Sequence, residues 1–268
     1  MIGIEWLAIY IMLGAFVGFM SGLLGVGGGG ILVPLLASVF LYQGMSADNV
    51  VHLALGTSLT CMIISSTASI RAHSARDAVV WKIVGGMAPG IILGAFISTQ
   101  IAAKINSAYI ALFFSFFMAL VAVQMFLNLK PKPSQTPTTI RGLFAVGMGI
   151  GFISALAAVG GGFLAVVYLG FKNISIKKAI GTSSAIGLPI AIAGTIGYMI
   201  SGWSQTLNTP NTLGFIYVPA FLAISIGSFI SAPYGARFSH SLPEAHLKKI
   251  FAVISLILSI KMLVSFAQ

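Results

Sequence analysis

Consecutive glycines inside apolar sequence are the residues of this chain best placed to do chemistry. Gly27, Gly28 and Gly29 lie in GFMSGLLGVGGGGILV at 18–33, and Gly160, Gly161 and Gly162 lie in GFISALAAVGGGFLAV at 151–166. A glycine run serves no helix face and costs about 1 kcal/mol per residue in a helix interior relative to alanine. Each run therefore reads as a turn that exposes backbone N–H groups, and the helix restarting after it directs the positive end of its dipole to the same point. A helix end of that kind accepts anions. Hydroxyls repeat in step with the glycines: Thr57 and Ser58 close ALGTS, while Thr182, Ser183 and Ser184 close AIGTSS. Together these residue types can solvate a small negative solute with neutral N–H and O–H donors. The competing expectation for the hydroxyls is back-bonding to their own helix.

Other chemistries find little support. Gly25 to Gly30 fit GxGxxG as a string, but the flanks are apolar on both sides where a dinucleotide site needs a strand, a helix and a later acid. Cys61 is the single cysteine, which rules out an intramolecular disulfide or a thiolate cluster. His52, His73, His240 and His246 show no metal-binding spacing, and HExxH and GxSxG are absent. The expectation is no metal, no cofactor and no enzymatic activity. The four acids, Glu5, Asp48, Asp77 and Glu244, all fall near the ends of apolar runs. A proton or sodium pump usually keeps a carboxylate in mid-membrane. Without one, an anion leaving a cell that is negative inside gains about 2.3 kcal/mol per charge per 100 mV, so export needs no coupled ion and uptake would.

The elements that must position these groups are membrane segments. The chain is 58% hydrophobic and 7% charged, against about 25% charged in soluble domains; its solvent is the lipid bilayer. Apolar runs cover roughly 5–43, 50–70, 83–103, 107–128, 142–171, 179–200, 213–235 and 250–267. Most match the length of one transmembrane helix, about 20 residues. The runs 5–43 and 142–171 are longer, contain the glycines, and read as broken pairs that enter and leave on one side. Basic residues gather in the loops 71–82, 129–141, 172–178 and 236–249. Counting crossings puts all four on one face, the cytoplasmic one. Both termini then face outward. The net charge of +10 is accounted for by these loops, and no nucleic acid partner is expected.

The two glycine-rich strings superpose with a shift of 133 residues, and GAFIS at 94–98 answers GSFIS at 227–231 at the same shift. Gly14, Gly18 and Gly22, answered by Gly147, Gly151 and Ala155, recur every four residues as helix-packing glycines do. Each half holds one broken pair and three single crossings, an odd total, so the second half must be inserted upside down. The expected fold is an all-α polytopic membrane protein of two inverted-topology repeats, each a Gly-broken helix pair plus three transmembrane helices. The first repeat covers 1–129, a cytoplasmic linker 130–141 and the second repeat 142–268.

The string GFMSGLLGVGGGGILVPLL with its later GTS, and the second copy GFIS…VGGGFL with its own GTS, resemble the sulfite exporter TauE/SafE family along essentially the whole chain. The resemblance implies a bacterial inner-membrane transporter of sulfur-containing anions such as sulfite or sulfoacetate, moved mostly outward. The second copy departs from the pattern: Ala155 and Ala158 replace the glycines equivalent to Gly22 and Gly25, and Val167 replaces Pro34. The half-sites are thus expected to differ, the first having the more open turn. The expected mechanism is alternating access at a midplane site contacting Gly27, Gly28, Gly29, Thr57, Ser58, Gly160, Gly161, Gly162, Thr182 and Ser183. An anion channel and an uptake carrier for another carboxylate or sulfur oxyanion are the alternatives. Whether the protein works as a homo-oligomer is left open by the sequence.

Overall fold

The structure is a computed structural model that describes residues 3–24, 28–127, 139–207, 209–239 and 244–266. Gly27 and linker positions 130–138 lie outside the described residues. Ten helices make up the described chain: α1 (Ile4–Leu24), α2 (Gly29–Tyr42), α3 (Ala47–Ser74), α4 (Trp81–Ala102), α5 (Ser107–Phe126), α6 (Ile140–Ala157), α7 (Gly162–Phe171), α8 (Ile176–Gly202), α9 (Val218–Ser239) and α10 (Glu244–Phe266). Seven are long and apolar enough to cross a membrane. Local chemistry sets several ends. Ser46 accepts from the Asp48 N–H to start α3, Asn106 accepts from Ala108 to start α5, and Thr139 accepts from Gly142 to start α6.

The run 5–43 folds back on itself. Trp6 lies against Tyr42 with ring centroids 5.9 Å apart, and the Tyr10 hydroxyl donates to Gln43 Oε1 at 2.9 Å. At the other end Gly28 abuts Val17 and Ser21. α1 and α2 therefore form a hairpin with its tip at the glycines. α2 has 14 residues and α7 has 10, about 21 and 15 Å at 1.5 Å per residue, too short to cross a hydrocarbon core of about 30 Å. The Ser58 hydroxyl meets Gly29 about 16 Å along α3 from its first residue, so the tip lies deep in the bundle.

α3 and α8 form the centre, and they run antiparallel. Leu59 packs on Gly194, Ser66 on Gly187 and Ser69 on Ser184, so contacts climb one helix as they descend the other. α1 runs alongside α9 and α4 alongside α6, each pair parallel and spaced by glycine. A Cβ on Gly14 would strike the Ile224 carbonyl, and one on Gly18 would strike Ser228; Gly147 and Gly151 meet Met87 and Ile91 in the same way. Gly14, Gly18, Gly147 and Gly151 are packing residues, as read. Outside the centre, stripes such as Leu112, Phe116, Leu120 and Val123 of α5 and Ile226, Phe229 and Ile230 of α9 stay exposed, the surface a lipid solvent would cover.

Two readings need correction. The run 213–235 is not one helix: α9 starts at Val218. Gly214 has φ +57°, the Phe215 N–H donates to the Tyr198 carbonyl at 3.1 Å, and Phe215 is buried, stacked on the His52 ring at 4.9 Å. The bend holds an apolar pentapeptide, 213–217, against the ends of α3 and α8. Second, the contacts set α4 against α9 at a shift of 137, since Met87 does for Gly147 what Ile224 does for Gly14. The GAFIS and GSFIS match is one helical turn out of that register. A pattern of small residues every four positions looks like itself after a slip of four.

Candidate anion-binding corners

The glycine that precedes each restarted helix has the same backbone in both halves. Gly28 precedes α2 with φ 70° and ψ −13°; Gly161 precedes α7 with φ 65° and ψ −15°. These left-handed conformations are open to glycine at little cost. Neither helix start has a side-chain cap, so the first N–H groups of α2 and α7 depend on other partners. The two corners touch. A Cβ on Gly29 would fall on the Ala158 carbonyl oxygen, one on Gly30 would press Val159, and Gly187 of α8 leaves room for the Gly160 carbonyl beside the Ser66 hydroxyl. Gly28, Gly29, Gly160, Gly161 and Gly162 are thus brought together, sealed from the outside of the bundle between α3 and α8.

The hydroxyls divide into two kinds. Thr57 Oγ1 accepts the Tyr217 N–H at 2.9 Å, at the start of α9. Thr182 Oγ1 accepts the Val80 N–H at 3.0 Å, at the start of α4. The glycines before them complete the joint, since Gly56 admits the Phe215 carbonyl and Gly181 the Ala78 carbonyl. Each GTS string is therefore a socket for the loop that opens a neighbouring helix, and both threonines are fully buried in it. Ser58 instead faces the corner, donating to the Gly29 carbonyl at 3.3 Å. Ser183 donates to the Ile180 carbonyl of its own helix at 2.8 Å.

A cavity of about 10 Å³ lies at the first corner, with Gly28, Gly29, Ser58, Cys61, Ser65 and Ser228 among its lining residues; that is the room of one water. Ser65 and Ser228 were not singled out from the sequence, nor were Ser66 and Ser69 on the same helix. The hydroxyl-rich run SSTAS at 65–69 inside a membrane segment was the available signal. Ser69 Oγ donates to Ser184 Oγ at 3.2 Å, so α3 carries buried hydroxyls from the corner toward the basic loop that follows it. Ser228 gave a weaker signal, as the serine that distinguishes GSFIS from GAFIS.

An all-helical bundle with seven helices fit to cross a membrane, and a broken, N–H-presenting centre, defines a multi-pass membrane protein of the transporter class. The chain belongs to the sulfite exporter TauE/SafE family, whose profile matches residues 10–262. Among curated relatives it is 34% identical over 254 residues to a Haemophilus influenzae protein named "Probable membrane transporter protein", covering 94% of this chain and 96% of that one. Proteins with the same descriptive name from Methanocaldococcus jannaschii and Bacillus subtilis are 28% and 27% identical, covering 90% and 86% of this chain and 90% and 89% of theirs.

Proposed function

We propose that this transporter carries small sulfur-containing anions, such as sulfite or an organosulfonate, outward across the bacterial inner membrane by alternating access, without enzymatic chemistry. The observation that carries the reading is the meeting of two left-handed glycine corners, each opening a helix, at the centre of the bundle. Two helix N-termini converging there favour negative charge, and the donors come from within the set Gly27 to Gly29, Ser58 and Gly160 to Gly162. Thr57 and Thr182 serve the same site by holding the helices that frame it, whereas Ser183 is bonded within its own helix. The antiparallel run of α3 and α8 supports two inverted repeats, 1–129 and 142–268, joined by the linker 130–141. In this orientation both termini face outward and loop 71–82 faces the cytoplasm.

Purified protein in liposomes loaded with sulfite tests the reading. Saturable efflux, accelerated by sulfite on the opposite side, is the expected result. Unsaturable current would assign a channel, and no flux of sulfite, sulfoacetate or small carboxylates would remove the anion assignment.

A further inference from the structure

Gly28 and Gly161 share one backbone conformation, but the two corners are lined differently. A Cβ on Gly161 would meet Ile190, Ile186 and Ile150, so the second corner is packed with branched apolar side chains. The first is faced by Ser58, Ser65 and Ser228. Ser228 stands where the first half has Ile91, since Gly18 rests on Ser228 as Gly151 rests on Ile91. Ser228 is 3% exposed, and its Oγ has no hydrogen-bond partner although it lines the cavity at the uncapped start of α2. A buried hydroxyl without a partner destabilises a fold. Other buried hydroxyls, Ser154 among them, are also unpartnered, but among the described residues lining the cavity Ser228 alone is so placed, where a ligand can take its hydrogen bond.

Resting on the anion-transport reading above, we propose that the substrate binds at the first corner alone, with the Ser228 hydroxyl as a direct ligand beside the α2 N-terminus, and that the second corner is a dry pivot. α9 belongs to the second half and α2 and α3 to the first, so an anion held between them ties the halves together. The cavity admits only a water-sized object, and the anion enters as α9 parts from α3. No Lys, Arg or His lines the cavity, and a helix end supplies about half a positive charge. Desolvation cost rises steeply with ionic charge, so the site takes a singly charged oxyanion, a sulfonate or hydrogensulfite, in preference to a dianion.

Thermal shift and equilibrium binding on full-length protein in nanodiscs test this, with methanesulfonate and sulfate as probes. Ser228→Ala is expected to raise the Tm of the unliganded protein, because an orphan hydroxyl is removed, and to weaken methanesulfonate about 10-fold, the loss of one hydrogen bond to a charged group. Ser183→Ala should bind within about 2-fold of wild type, a difference within experimental spread of near-neutral substitutions. Sulfate should bind the wild type at least about 10-fold more weakly than methanesulfonate. Wild-type affinity in Ser228→Ala, an equal loss in Ser183→Ala, or equal binding of sulfate overturns the proposal while leaving anion transport standing. Absence of any sulfite flux from the wild type overturns both.

Discussion

Glycine acts in three distinct ways in this molecule, and substitution separates them. Gly28 and Gly161 hold positive φ, which costs an alanine about 1–2 kcal/mol, but their nearest neighbours are side-chain ends that can shift. Gly29 has the Ala158 carbonyl where its Cβ would be, and backbone cannot rotate away. Gly149, in α6, has nothing within 4 Å. Gly29→Ala should therefore abolish sulfite flux and lower Tm more than Gly28→Ala, while Gly149→Ala should gain up to about 1 kcal/mol from helix propensity. Melting curves in detergent with parallel liposome flux check the order. Equal tolerance of alanine at Gly29 and Gly149 would mean that the corners do not meet.

Among elements, the loops entering α4 and α9 depend on the central helices. Thr57 and Thr182 each satisfy a main-chain N–H at the first turn of a helix from the other half. Valine preserves the shape of threonine and removes the acceptor, so Thr57→Val and Thr182→Val should each cost about 1–2 kcal/mol. Serine should recover most of that loss. The measurement is Tm of the purified variants with anion binding on the folded fraction. A stable Thr57→Val protein that has lost anion affinity would make the hydroxyl a substrate ligand in its own right.

For the whole molecule, rocking of one half against the other must pass through the α3–α8 contact. Ser69 and Ser184 face each other there with hydroxyls 3.2 Å apart, close enough for cysteines to be bridged. In a Cys61→Ala background, Ser69→Cys with Ser184→Cys should lose flux on oxidation and regain it on reduction. Full flux in the oxidised, cross-linked protein would place the moving surface elsewhere, at the α1–α9 or α4–α6 seams. Those seams set main chain against main chain at Gly14, Gly90, Gly147 and Gly227.

Much of this was legible in the sequence, because in lipid the constraints are local. A helix must satisfy its own backbone, so apolar run length marks α3, α4, α5 and α8 to within a few residues. Runs of three or more glycines mark both corners, whereas the pair Gly85 and Gly86 continues as helix within α4. What depends on partners distant in the chain was decided by tertiary structure. Thr57 and Ser58 are neighbours of similar chemistry, yet one caps α9 and the other faces α2, because adjacent helix positions point about 100° apart toward different helices. The same holds at Ser228 and Ile91: the packing makes them equivalent, one setting a hydroxyl against Gly18 and the other a branched apolar side chain against Gly151.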